Sequence, residues 1–171
     1  MTLQDVLTKI DHDLPQATER LLTLLRIPSI STDPSYKDAC ETAADWLVSD
    51  LLSMGVTAEK RATPGHPMVV GHIGQGAPHV LFYGHYDVQP VDPIELWDSD
   101  PFDPQLQDTS GGRVIRGGGS SDDEGQLMTF IEACRAWQAV HGSLPCKITF
   151  FFEGEEVSGS PSLVPFLQKN K

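Results

Sequence analysis

The sequence predicts an α/β fold, in which helices pack against a sheet of buried strands. Two apolar runs rich in β-branched and aromatic residues, residues 80–83 and 148–152, are too short for helices and are typical of buried strands. Residues 3–26, 34–54 and 126–141 instead carry apolar residues at helical spacing. Strands and helices that alternate in this way favour an α/β domain.

Composition limits the size of that domain and the kind of partner. The 171 residues are 39% hydrophobic, enough for one core of ordinary size. Lysine and arginine number 12 against 24 acidic residues, which gives a formal net charge of -12. Nucleic acids and anionic membranes require basic surfaces, so we expect neither as a partner.

The cysteines and the lack of a signal-like or membrane-spanning segment indicate the cellular compartment of the protein. The three cysteines, Cys40, Cys134 and Cys146, have no metal-type spacing and lie among apolar residues, so they are predicted to be reduced thiols in the core. The first residues lack a basic region followed by an apolar run, and no segment reaches membrane-spanning length. A cytoplasmic protein is expected.

The first two helices are predicted to be packing elements. Apolar residues recur at helical spacing from residue 3 to residue 26, and Pro15 is expected to begin a second helix because proline breaks a helix interior. After a loop, Asp33 and Pro34 are typical of a helix start, and Gly55 is typical of its end.

Two short strands are predicted next, at residues 56–61 and 67–74, with the second more buried. Pro64 and Gly65 indicate the turn between them. The histidines of this region are predicted to be structural, because none of them lies beside another candidate ligand: His66, His72 and His79.

The run at residues 80–83 ends in a His-x-Asp pair. The run is predicted to be a strand buried on both faces, and Gly84 allows a turn at its carboxyl end, where open α/β sheets bind ligands. In an extended segment His85 and Asp87 point the same way. The pair suits a metal ligand with a carboxylate that orients it, although a histidine at a strand end also has structural uses.

A long passage, residues 91–112, contains three prolines, Trp97 and six acidic residues. A connection of this length in a compact domain is usually functional or disordered. Because Trp97 and Phe102 favour order, we expect an irregular loop that wraps over the strand ends.

Three glycines, residues 117–119, precede the acidic run that opens the helix at residues 126–141. Phosphate binding is not expected, because the P-loop lysine is absent and the adjacent acids would repel an anion. A glycine turn that brings Asp122 to a metal beside His85 fits the charge better. Capping of the helix by one of Asp122 and Asp123 is the alternative.

A second buried strand, residues 146–152, also runs into a glycine and then into acids, at residues 153–156. Carboxylates buried together require a compensating cation or proton. The two strands and the glycine turn therefore predict one histidine and several acids at the same edge of the sheet.

Three motifs in this order resemble the M20 family of zinc metallopeptidases, on the dipeptidase and carnosinase-like side. The similarity also includes residues 97–102 and extends over essentially the whole chain. The motifs are His85-Tyr86-Asp87-Val88-Gln89-Pro90, the glycine turn into Asp122-Asp123, and Glu153-Gly154-Glu155-Glu156 before Ser158-Gly159-Ser160.

The resemblance implies a mixed-sheet zinc-exopeptidase-like catalytic domain with a separate lid or dimerisation domain. It also implies two zinc ions that activate water for attack on a small peptide or amide substrate. Residues 1–171 are then expected to be a single partial catalytic domain without the lid. A homodimer is expected only with the missing domain.

The resemblance further assigns roles to individual residues. His85 would be a ligand of one metal, Asp87 would orient or tune the site, and Asp122 would bridge the two ions. The spacing to Ser158-Gly159-Ser160 makes Glu156 the general base, which accepts a proton from the metal-bound water and passes it to the leaving amine. A shift by one residue would make Glu155 the base and Glu156 a ligand, but it breaks that spacing.

The chain departs from the family pattern at three positions. Val157 stands where a metal-ligating glutamate is expected, and valine cannot bind zinc. Gly118 and Glu124 stand where an arginine and a lysine are usual, which lowers the positive charge beside the site.

The family's remaining ligands, an aspartate and a distant histidine, would follow Lys171. Catalytic zinc normally has three protein ligands. We therefore expect this chain alone to bind zinc poorly and to hydrolyse no dipeptide. The alternative to a hydrolase is a non-catalytic truncated remnant or binding module of the same family.

Overall fold

The computed structural model describes residues 1–170 and contains a four-stranded mixed sheet. Its strands are β1 (Thr57–Arg61), β2 (Met68–Ile73), β3 (His79–His85) and β6 (Lys147–Glu153), in the order β1-β2-β6-β3. The pairs β1–β2 and β2–β6 are antiparallel, whereas β3 and β6 are parallel. The parallel pair places the carboxyl ends of β3 and β6 side by side.

The first three α-helices lie on one face of this sheet, whereas the last helix contacts the other face through Phe166, whose ring centroid is 5.6 Å from that of Phe151. The helices are α1 (Leu3–Leu25), α2 (Lys37–Ser53), α3 (Glu124–His141) and α4 (Leu163–Lys169). α2 and α3 pack on the sheet and α1 packs on α3, so that the core joins Leu47, Ile131 and Phe150. The predicted α/β class and the positions of β1 and β2 are confirmed.

The predicted helix start at Pro15 is wrong, because α1 runs through Pro15 without a break. Thr2 and Asp5 form a capping box at its beginning. Pro15 removes one backbone hydrogen bond. Contacts with α3 compensate, among them the two-pronged ion pair from Arg20 to Glu132 at 2.6 and 2.7 Å.

The prediction that residues 80–83 are buried on both faces is also wrong. β3 is an edge strand of the described sheet, and only its helix-facing side is covered. Phe82 stacks on Phe130 of α3 with ring centroids 3.9 Å apart. On the other side, Leu81 and Tyr83 are 62% and 43% exposed. We define the open face as the side of the sheet that carries these residues: His72, His79, Leu81, Tyr83 and Thr149.

The long passage is less irregular than predicted. Part of it, Gln105–Thr109, forms strand β4, which pairs with β5 (Gly112–Arg116) as a hairpin. Gly112 has φ 115°, and the Thr109 hydroxyl donates a 2.6 Å hydrogen bond to its carbonyl. The conformation of Gly112 and the hydrogen bond from Thr109 thus form the turn of a β-hairpin, in a segment whose composition alone indicates a loop.

The cysteines agree with the expectation of thiols in or near the core. Cys40 and Cys134 are buried and Cys146 is partly buried, and all three are free. Burial raises the pKa of the Cys40 and Cys134 thiols to about 12. None of the helices within residues 1–170 has the length and apolar character needed to cross a membrane.

Candidate active site

The turn that follows β3 fixes the imidazole of His85 on two sides. Its Nδ1 lies 3.0 Å from the carbonyl oxygen of Asp87 and 3.4 Å from Asp87 Oδ1. Its Nε2 lies 3.1 Å from Asp122 Oδ1 and 3.8 Å from Glu156 Oε2. One edge of the ring is thus held by Asp87, while the other edge faces the two remaining predicted site residues.

Asp87 is completely buried and joins the ends of the two parallel strands. Its carboxylate accepts a 2.6 Å hydrogen bond from the Ser31 hydroxyl. It also accepts hydrogen bonds from the backbone N–H groups of Glu156 at 3.2 Å and Val157 at 3.1 Å. A buried carboxylate requires such donors, so Asp87 fixes the segment that carries Glu156 as well as the ring of His85.

The electrostatic environment favours a positive charge on His85. Burial lowers the pKa of the imidazole, but the hydrogen bond and the negative charge of Asp87 outweigh this effect, with a further contribution from Asp123. The net result raises the pKa to about 9. Only the neutral imidazole binds a metal, so a metal ion would displace this proton.

Glu124, at one of the positions that depart from the family pattern, is completely buried beneath the site. Its Oε1 has no hydrogen-bond partner among residues 1–170. Burial raises the pKa of this carboxyl well above its usual value, and the charge of Asp87 adds to the effect although that of His85 opposes it. The environment of Glu124 therefore favours the neutral form of its carboxyl group.

Glu155 and Glu156 have different environments, which bears on the two possible alignments of the third motif. Glu155 is buried, and its carboxylate oxygens accept hydrogen bonds from the backbone N–H groups of His66 and Ser162, both at 3.2 Å. The Glu156 side chain is 49% exposed and faces His85. This geometry favours the spacing that makes Glu156, and not Glu155, the candidate base.

The close approach of the two strand ends depends on Gly154. A Cβ atom at this position would lie 2.4 Å from the Tyr86 hydroxyl oxygen. Tyr86 is completely buried and donates a 2.7 Å hydrogen bond to the carbonyl oxygen of Pro67. Because the ring is fixed, only glycine fits opposite it.

Sequence reasoning missed several supporting contacts. The side chain of Asp123 makes no capping hydrogen bond to α3, although Asp123 occupies the capping position. Its Oδ2 instead accepts a 3.2 Å hydrogen bond from the backbone N–H of His85. Ser31 lies in a loop distant in sequence from Asp87, so no local pattern indicated that contact.

The four predicted site residues lie together, but they do not make up a complete set of metal ligands. Within residues 1–170, no group of three or more His, Cys, Asp or Glu side chains is arranged to hold a metal ion. Asp122 is 82% exposed, and Val157 offers no ligand atom. His85 Nε2 and Asp122 fit a zinc ion as two of its ligands, whereas the residues present do not fit a second ion.

Comparison with known proteins identifies the class. The chain belongs to peptidase family M20/M25/M40, whose model matches residues 81–171, more than half of the chain. This confirms the resemblance inferred from the three motifs.

The relatives include named dipeptidases. The chain is 30% identical to "Cys-Gly metallodipeptidase DUG1" of Saccharomyces cerevisiae over 183 residues, which cover 98% of this chain and 38% of that protein. It is 34% identical to "Beta-Ala-His dipeptidase" of Homo sapiens over 113 residues, which cover 65% of this chain and 22% of that protein. The chain thus spans well under half the length of these curated relatives.

Solved structures support the same fold. The structure of the dipeptidase Dug1p from Saccharomyces cerevisiae matches with a TM-score of 0.89 and 31% identity, covering 98% of this chain and 38% of that chain. The M20 family metallo-carboxypeptidase Sso-CP2 from Sulfolobus solfataricus matches with a TM-score of 0.78 and 32% identity, covering 90% and 34%. The predicted mixed-sheet catalytic-domain fold is confirmed over the part of these structures that the chain spans.

Proposed function

We propose that the complete protein is a zinc-dependent hydrolase of dipeptides or related amides, and that residues 1–171 supply the first part of its catalytic domain. The observation that carries this proposal is the placement of His85, whose Nδ1 is fixed by Asp87 while its Nε2 faces Asp122 and Glu156. The family membership and the named dipeptidase relatives support it.

Each of the four residues has a role in this proposal. Asp87 fixes the imidazole so that Nε2 points into the site, as carboxylates do for metal-binding histidines. His85 and Asp122 would hold zinc together with ligands from the rest of the complete protein, and the metal would supply Lewis-acid activation of water and of the carbonyl. Glu156, exposed and facing the same point, accepts the water's proton and passes it to the leaving amine.

The proposal also covers the substrate class, the partners and the cellular location of the complete protein. The substrate class is a small peptide or amide, in keeping with the printed names of the relatives. The acidic surface disfavours nucleic acid as a partner. We propose a cytoplasmic location and a homodimer formed through the part of the protein beyond this chain.

Hydrolysis of a dipeptide panel by the complete protein with added zinc tests the proposal. Glu156→Gln keeps the size of the side chain and removes the base, so kcat should fall by about 10²–10⁴-fold. Glu95→Gln, at an exposed glutamate, is the matched control and should leave kcat unchanged. Equal rates for both variants would refute the role of Glu156, and the 171-residue chain alone should show no turnover.

Val157 supports a second candidate, a non-catalytic M20 protein that keeps the fold without the chemistry. The residue provides no ligand where the family places a glutamate, and no three-ligand group exists within residues 1–170. The coding sequence after Lys171 separates the two candidates. An in-frame continuation that contains an aspartate and a late histidine supports the hydrolase, and a stop codon supports the remnant.

A further inference from the structure

Two histidines on the open face lie on either side of one hydroxyl group. His72 on β2 is the register partner of Thr149 on β6, so the two side chains share a face of the sheet. Leu81 of β3 is the partner of Thr149 on the other side, and His79 lies two residues before Leu81 on the same face. The sheet therefore places both imidazoles beside Thr149.

The distances bring the ring nitrogens close to a single point. His72 Nδ1 lies 2.9 Å from Thr149 Oγ1, and His79 Nε2 lies 2.8 Å from the same oxygen. Both imidazoles are exposed, whereas Thr149 is buried beneath them. The hydrogen bonds to Thr149 agree with the structural role expected for His72 and His79, and they also bring both rings to the same hydroxyl oxygen.

The hydrogen bonds leave these nitrogens available to a metal ion. A hydroxyl has one hydrogen, so it donates to only one of the two rings, and the other ring donates to the oxygen. The second nitrogen of each ring has no hydrogen-bond partner in the described part of the chain. Moving the proton of the donating ring to its solvent-facing nitrogen costs one hydrogen bond to Thr149, which the metal–nitrogen bonds replace, and it leaves both inner nitrogens with a free lone pair.

We propose that His72 and His79 form a second metal site, separate from the candidate active site, which binds a divalent transition-metal ion of the Cu²⁺ or Zn²⁺ type. Neutral imidazole nitrogens select such ions over Mg²⁺ and Ca²⁺, and Cu²⁺ binds most tightly in the series. The ion takes over the linking position of the Thr149 hydroxyl, and water completes its coordination. The formal net charge of -12 favours cation binding, although Lys147, the register partner of His79, opposes it locally.

Electron paramagnetic resonance of the 171-residue chain with one equivalent of Cu²⁺ tests this site directly. We expect a spectrum with two equatorial imidazole nitrogens, which the candidate active site cannot supply because His85 is its one histidine close to Asp122 and Glu156. A Cu²⁺ signal with one nitrogen or none in the parent chain would overturn the proposal.

Substitutions at exposed positions identify the ligands without disturbing the core. His72→Gln and His79→Gln should each leave one nitrogen in the spectrum and weaken Cu²⁺ binding at least about tenfold, because the chelate is lost. His12→Gln, at an exposed histidine of α1 beside Asp13, is the matched control and should bind as the parent does. Retention of two nitrogens in either His72→Gln or His79→Gln would overturn the assignment.

Discussion

The turns that follow the two parallel strands contribute to the candidate site in different ways. The β3 turn, residues 85–88, is buried throughout, and its backbone bonds to neighbouring segments through Tyr86 N to Glu153 O at 2.9 Å and Val88 N to Ser29 O at 3.0 Å. The β6 turn, residues 154–157, depends on the β3 turn, because Asp87 accepts hydrogen bonds from two of its backbone N–H groups.

The two turns therefore have separate tasks: the β3 turn orients the His85 ring, and the β6 turn carries the candidate base and position 157. The contacts that orient His85 are also required for folding, because they provide hydrogen bonds for the buried carboxylate of Asp87. In the proposed function, the β6 turn would supply a ligand from position 157, where the side chain is valine. If the proposed function holds, the orientation of His85 is preserved in this chain while one expected ligand is absent.

Asp87→Ala should have the largest effect on stability. The substitution leaves the Ser31 hydroxyl and two backbone N–H groups without a partner and leaves His85 without its carboxylate. We expect a loss of about 3–5 kcal/mol in the free energy of unfolding, measured by urea denaturation. Asp11→Ala, at an exposed aspartate of α1, is the control. A similar small loss in both variants would show that the β3 turn does not depend on Asp87.

The pH dependence of stability tests the charge on His85. The pKa of about 9 in the folded chain lies above the usual value of 6.5. The resulting stabilisation is fully present below about pH 6.5 and is lost as the pH rises through 9. With a chelator present, His85→Gln should cost about 2–3 kcal/mol more at pH 6 than at pH 10. A difference that does not vary with pH would contradict a protonated His85.

Gly154→Ala should have a smaller effect, confined to the contact between the two turns. The new methyl group meets the ring of Tyr86, which cannot retreat because its hydroxyl is bonded to Pro67. Overpacking of this kind costs about 1–3 kcal/mol in thermal or urea unfolding. Gly111→Ala is the control, because the nearest atom to its added Cβ is 3.8 Å away. Equal stability of the two variants would show that the turns are not in tight contact.

Local sequence patterns predicted the presence of strands and helices better than they predicted how these elements are covered and packed. The apolar run at residues 80–83 indicated a strand, but a run of this kind carries no information on how many layers cover the sheet, and Leu81 and Tyr83 are exposed. Pro15 indicated a helix boundary because propensity rules ignore the packing of α1 on α3.

In the candidate site too, the sequence predicted the residues but not the contacts that position them. His85, Asp87, Asp122 and Glu156 could be named because each lies in a motif at an element end. The contacts that hold them could not, because Ser31 and Asp123 meet the β3 turn only through the tertiary fold. The pairing of His72 with His79 likewise requires the strand order β2-β6-β3, which no local pattern reveals.

Position 157 provides the most direct test of the central claim, that this is a metallopeptidase site with one ligand position lost. The measurement is the zinc retained per chain after dialysis by the complete protein that contains this segment, for the parent, Val157→Glu and Val157→Ala. We predict no more than one equivalent for the parent and for Val157→Ala, and a clear gain for Val157→Glu. More than one equivalent in the parent, or no gain in Val157→Glu, would contradict the claim.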